Sequence, residues 1–197
     1  MIATVPAAVE RLLTADVARE IARAYGDRPI YPDQILVDQP DQDRRRFPGW
    51  PGPVLVLADE NQGACSWGVP LGGGPVLVGS ERTTVPYAAS AEDFIAARRW
   101  DYQCVNAAFC VAAQAEVLDD TALGYLRERC TPSVTTEGWP GGRQYRFENQ
   151  RARVLLWSDA GQCDWLISAR TEEALTEFTA GLLTLRCLRT ARWADEA

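Results

Sequence analysis

The amino-acid sequence predicts an α+β fold: an antiparallel or mixed central sheet flanked by helices, followed by a C-terminal three-strand meander and helix. Three observations predict it. Apolar runs of strand length, such as Val54 to Ala58, lie between Gly- and Asn-containing turns. Other segments space their apolar residues as a helix does, such as Val17, Ile21 and Tyr25. Gly- and Pro-rich loops separate the two kinds. A chain of 197 residues, 47% hydrophobic, is long enough to bury a sizeable core. A single domain over 1–197 is expected, with halves at 1–105 and 106–197.

Taken in order, Val9, Leu12 and Leu13 form a short apolar helical face after Pro6. Thr14 then caps a helix through Val17, Ile21 and Tyr25, which Gly26 stops. A short strand is expected at Ile35 to Val37. Residues 38–53 hold four prolines and two glycines and form an irregular loop. Within it, Arg44, Arg45 and Arg46 either make an anion patch or answer Asp38, Asp41 and Asp43 in a solvated loop. Trp50 either plugs the nearest core or offers a contact surface.

Val54 to Ala58 is continuously apolar, as befits a central strand covered on both faces. The turn Asp59-Glu60-Asn61-Gln62-Gly63 leads to a strand that places Cys65, Trp67 and Val69 on one face. Gly72 to Gly74 turn the chain into a third strand, Val76 to Val78. Ser90-Ala-Glu-Asp93 is a capping box for a helix that buries Phe94, Ile95 and Ala97, with Trp100 near its end. The Ala-rich stretch Tyr102 to Leu118 has no breaker and reads as helix. Asp119 or Asp120 caps a helix through Leu123, Leu126 and Arg127. A second meander follows at Gln144 to Glu148, Ala152 to Trp157 and Asp164 to Ser168. Thr171 caps a last helix with Leu175, Phe178, Leu182 and Leu185, and the polar tail after Leu188 is expected to fray.

Composition narrows the chemistry. The chain has no His, and all twenty basic residues are Arg. It therefore lacks the commonest general base and metal ligand, the Schiff-base amine and the P-loop lysine. The six cysteines form no C-x-x-C pair, so they read as buried reduced thiols, with no metal site and no cofactor expected. A formal charge of −7 disfavours nucleic acid and favours a basic partner. No apolar run reaches the roughly 20 residues of a membrane helix, and the first residues do not read as a secretory signal, so a cytoplasmic protein is expected. Asp59-Glu60, Asp119-Asp120 and Glu172-Glu173 are neighbours in sequence. Adjacent strand residues point to opposite faces, and the latter two pairs suit helix N-termini. Glu-Asn-Gln occurs at 60–62 and 148–150, too short a match to indicate a repeat.

The order Glu60, Asn61, Gln62, Gly63, then Trp67, Gly68 and Val69, resembles the core hairpin of the SUKH superfamily. The helix ending at Tyr25-Gly26 and the one opening at Ser90 support the likeness, which covers about residues 10 to 105. Trp139 to Leu166 with the helix after it looks like the C-terminal part of a bacterial branch. The resemblance implies a SUKH-like fold and a non-enzymatic binding protein, since the group holds yeast cell-wall-synthesis regulators and bacterial immunity proteins. The implied mechanism is occlusion of a toxin's active site, with acidic loops meeting a basic cleft.

Physically, Glu60, Asn61, Gln62, Gly63, Trp67 and Gly68 read as structural. Asn61 and Gly63 suit left-handed turn positions, Glu60 can accept its own turn's N–H groups, and Trp67 fills the face beneath. Glu60 and Gln62 can also touch a partner. Asp41, Asp43, Trp50 and Trp139 are the candidate partner contacts, because they lie in irregular loops. No catalytic residue is assigned. The alternatives are an intracellular regulator or scaffold without a toxin partner, and an enzyme built on carboxylates, Tyr or Arg.

Overall fold

Local caps set the first helix. The Thr14 hydroxyl accepts the Val17 N–H at 3.2 Å to open α1 (Ala15–Tyr25), and Gly26 closes it at φ +71° with its N–H on the Ala22 carbonyl. The computed structural model describes residues 14–115, 117–138, 142–159, 161–189 and 191–193. The helical face expected at Val9, Leu12 and Leu13 lies outside them. The chain divides into two compact units, with the boundary between Arg99 and Trp100 inside α2 (Ala91–Val105). Glu137 and Gly138 belong to the first unit.

The first unit is built on an antiparallel sheet. Its strands are β1 (Arg28–Pro29), β2 (Val37–Asp38), β3 (Val54–Asp59), β4 (Cys65–Pro70), β5 (Val76–Ser80) and β6 (Thr84–Ala88). The order is β1-β3-β4-β5-β6, with β2 also on β3. Alternation along the strands gives the sheet two buried faces. Cys65, Trp67, Val69, Val76 and Val78 share one with Ile21 of α1 and Phe94 of α2. Val54, Val56 and Leu77 share the other with Phe47. A bulge between Val56 and Ala58 puts both Leu57 and Ala58 on the helix side.

Two expectations change here. The strand expected at Ile35 to Val37 begins at Val37, because Pro32–Gln34 forms a 3₁₀ turn that Ile35 closes. A fourth strand, β6, extends the meander despite Pro86. Proline is tolerated there because β6 pairs only with β5 among the described residues.

The second unit holds a seven-stranded sheet. Its strands are β7 (Phe109–Ala115), β8 (Thr131–Pro132), β9 (Thr136–Glu137, of which Thr136 alone belongs to this unit), β10 (Arg143–Glu148), β11 (Ala152–Asp159), β12 (Gln162–Ala169) and β13 (Arg192–Trp193). The order is β13-β7-β12-β11-β10-β8, with β9 also on β10. The helices α3 (Asp120–Arg129), α4 (Glu172–Leu182) and α5 (Arg186–Arg189) belong to it. Leu126, Leu182 and Leu188 are fully buried with Phe147, Val154, Leu156, Trp165 and Ile167.

Asp119 and Thr171 cap α3 and α4 through the N–H groups of Ala122 and Ala174. The helix expected from Tyr102 to Leu118 stops at Val105, and 109–115 is strand. Seven residues of β7 pair with β12, and the alternating exposure of Phe109–Ala115 is that of a strand. Tertiary pairing overrides the helix preference of its alanines. Residues 191–193 of the tail expected to fray are instead packed, since Ala191 is buried and β13 pairs with β7. Among the described residues no helix is long and apolar enough to cross a membrane.

Candidate functional site

The Glu60 turn is held by its own side chain. Glu60 Oε2 accepts the N–H groups of Gln62 at 2.8 Å and Ala64 at 3.1 Å, and Gly63 takes φ +82°. Asn61 does not adopt a left-handed conformation; no described non-glycine residue does. Its amide instead donates to the Tyr25 carbonyl at 2.8 Å, tying the turn to the end of α1. Asn61, Gln62 and Gly63 are exposed, while Glu60 is half-buried. The second Glu-Asn-Gln works differently: Asn149 Oδ1, not the Glu148 carboxylate, accepts the N–H groups of Arg151 and Ala152. Equal tripeptides thus close their turns through different atoms.

Beneath the first turn lies a charge pair that the motif alone does not reveal. Arg98 of α2 places Nη1 2.8 Å from Asp27, and both side chains are 2% exposed. The guanidinium lies 4.3 Å from the centre of the Trp67 ring, 5.1 Å from Phe94 and 5.3 Å from Tyr25. Its Nε and Nη2 have no hydrogen-bond partner among the described residues, and the aromatic faces stand in for one. Trp67 is therefore more than filler: it is the platform for a buried cation.

Burial pushes the Asp27 carboxyl above its ordinary range and the nearby Glu60 adds to this. The Arg98 charge and the Asn61 N–H pull it back in part. Burial and the same carboxylates push the Cys65 thiol up to about 12. A thiol at that value is not a nucleophile at neutral pH. Glu60 is committed to its turn and Asp27 to Arg98, so the cluster joins α1, α2 and the hairpin.

The loop over the other sheet face is the second candidate region. Gly68 and Gly79 leave the room it needs. A Cβ on Gly79 would stand 1.9 Å from the Arg46 carbonyl oxygen and 2.8 Å from the Phe47 ring; one on Gly68 would stand 2.6 Å from the same ring. Phe47 is fully buried in that space. Burying such a ring contributes roughly 1.5–3 kcal/mol, enough to pin an irregular loop.

Trp50 packs half-buried against the same cluster. Two of the three loop arginines are tied down. Arg45 meets Asp38 at 3.1 Å and the Trp50 carbonyl at 2.6 Å, and Arg46 makes a fork on Asp59 at 3.0 and 3.3 Å. The run is thus anchored to carboxylates and does not form a free anion patch.

Asp41 and Asp43 are exposed and make no ion pair among the described residues. On the adjoining segment Tyr31 is 40% and Ile35 48% exposed, while their neighbours Ile30 and Leu36 pack on the Phe47 cluster. Both segments pack over the Phe47 cluster, and between them they expose Tyr31, Ile35, Asp33, Asp41 and Asp43. Trp139 lies outside the described residues.

The second unit has its own buried pair. Arg146 makes a fork on Asp101 at 2.7 and 2.8 Å, with both side chains fully buried, and also donates to Gln144, Thr136 and the Val134 carbonyl. The sequence carries one overlooked signal for these groups. Phe94, Arg98, Asp101 and Cys104 recur at helical spacing, so two charges fall on the buried stripe of α2. No protein-family model, curated protein or solved structure matches this chain.

Proposed function

We propose that this chain is a non-enzymatic protein-binding domain, and that it acts as an immunity-type protein that docks on a basic toxin domain and covers its active site. The observation that carries the reading is the layer over the first sheet. Tyr31 and Ile35 offer exposed apolar groups, and Asp33, Asp41 and Asp43 are exposed acids on the same two segments that pack over the Phe47 cluster. Exposed aromatic and aliphatic anchors ringed by polar groups are what protein interfaces use. The −7 charge adds long-range attraction for a cationic partner. The hairpin's likeness to SUKH proteins agrees with such a role. The candidate contacts are Asp41, Asp43, Tyr31 and Ile35, with Trp50 holding the loop in place.

The test is affinity capture from the native host, followed by the same capture with Ile35→Asp and with Asp41→Lys/Asp43→Lys. A stoichiometric basic protein, toxic when expressed alone and lost from both variants, is the expected result. Equal capture by the variants removes this surface from the reading. Failure to capture any toxic partner moves the weight to a regulator or scaffold.

A further inference from the structure

The second unit contains a cleft that plays no part in the docking surface. Its volume is about 270 Å³, and Gln103, Ala107, Ala108, Arg151, Arg153 and Arg170 line it. Its other lining residues are Asn149, Ser168 and two alanines, so no carboxylate lines it, while Arg151 and Arg153 pair with Glu177 and Glu148 beside it. That is unusual in a chain of net charge −7. The volume falls below the roughly 300 Å³ at which pockets for drug-sized ligands begin, so the occupant is small.

The three arginines are placed differently. Arg153 is fixed on β11, its Nε donating to Glu148 at 3.1 Å and its Nη2 to Gln103 at 2.7 Å; Nη1 takes part in neither bond. Arg151 and Arg170 spring from neighbouring backbone, since the Arg170 N–H donates to the Arg151 carbonyl at 3.3 Å. Arg151 pairs with Glu177 at 2.8 Å, but these side chains are 54% and 65% exposed. A pair in that much water exchanges easily for a better anion. Arg170 is exposed and has no ion pair among the described residues. The Asn149 side chain locks the turn that carries Arg151. Guanidinium forks match the oxygens of phosphate, and a small polar cleft offers them one shared target.

We propose that this cleft binds a small oxyanion of the phosphate class, held between Arg151, Arg170 and Arg153. The test uses the full chain, titrated with inorganic phosphate at constant ionic strength and followed by amide chemical shifts. Saturable shifts are expected at Arg151, Arg153, Arg170 and Ala107–Ala108. Arg151→Ala and Arg170→Ala should each weaken binding by about tenfold. Arg153→Lys should weaken it by removing the Nη1 donor, because a lysine ammonium cannot hold Glu148 and Gln103 and reach the anion in the same fixed geometry. Arg129→Ala, an exposed arginine outside the cleft, should leave it unchanged. No saturable shift at these amides, or equal weakening by Arg129→Ala, overturns the site. Citrate binding as tightly as phosphate overturns the phosphate class.

Discussion

Asp59 and Asp27 show how two carboxylates of the first unit respond oppositely to acid. Burial pushes Asp59 up, but the hydrogen bonds from Arg46 and Ser66 and the charges of Arg46 and Arg28 outweigh it, leaving the carboxyl below its ordinary range. Its contribution is therefore complete above the unfolded value and is lost as pH falls through the folded one. Asp27 is raised, so its contribution is present below the unfolded value and is lost as pH rises through the folded one. Asp59→Asn should destabilise the protein at neutral pH, and the gap to the parent should close as pH falls below about 4. Urea unfolding at stepped pH measures it; a gap of constant size would show that the Arg46 fork contributes nothing.

At this scale the sequence was legible where partners are local. The Glu60 carboxylate and its own turn can be read from five residues. The Arg98–Asp27 and Arg146–Asp101 pairs cannot, because each partner lies on a distant segment.

Among the elements, the caps at Thr14, Ser90, Asp119 and Thr171 could be read because each is one hydrogen bond to a residue three positions on. β7 could not, since what makes it a strand is β12, some fifty residues away. The loop over the first sheet depends on a space that only two glycines leave. Gly79→Ala should destabilise by about 1–3 kcal/mol or more, because backbone rather than a flexible side chain blocks the new methyl. Denaturant midpoints measure this, and an unchanged midpoint would mean that the loop lifts freely. Arg146→Ala should cost about 3–5 kcal/mol by leaving Asp101 charged and dry. Replacing the pair together, Arg146→Met with Asp101→Leu, should recover much of that loss. A double variant as weak as the single one would mean that the bonds to Gln144 and Thr136 matter more than the charge.

For the molecule as a whole, the fold class could be read from patterning, and the halves drawn from the sequence meet at 105/106, at the end of the helix in which the two compact units divide. Nothing local marks a boundary between Arg99 and Trp100 when both lie in one unbroken helix. The net charge sets the prediction at this scale. If the docking reading holds, association with the captured partner should slow steeply as salt rises, while dissociation changes little. Stopped-flow rates across ionic strength test it, and a flat association rate would assign docking to the apolar Tyr31–Ile35 contact alone.

The cation over Trp67 has an optical consequence. An indole whose ring lies 4.3 Å from a guanidinium emits in a field that vanishes when the cation leaves. The difference in fluorescence between the parent chain and Trp67→Phe therefore isolates one emitter among the seven tryptophans. The first unit carries its own built-in dye, whose colour reports whether α1, α2 and the hairpin are locked together.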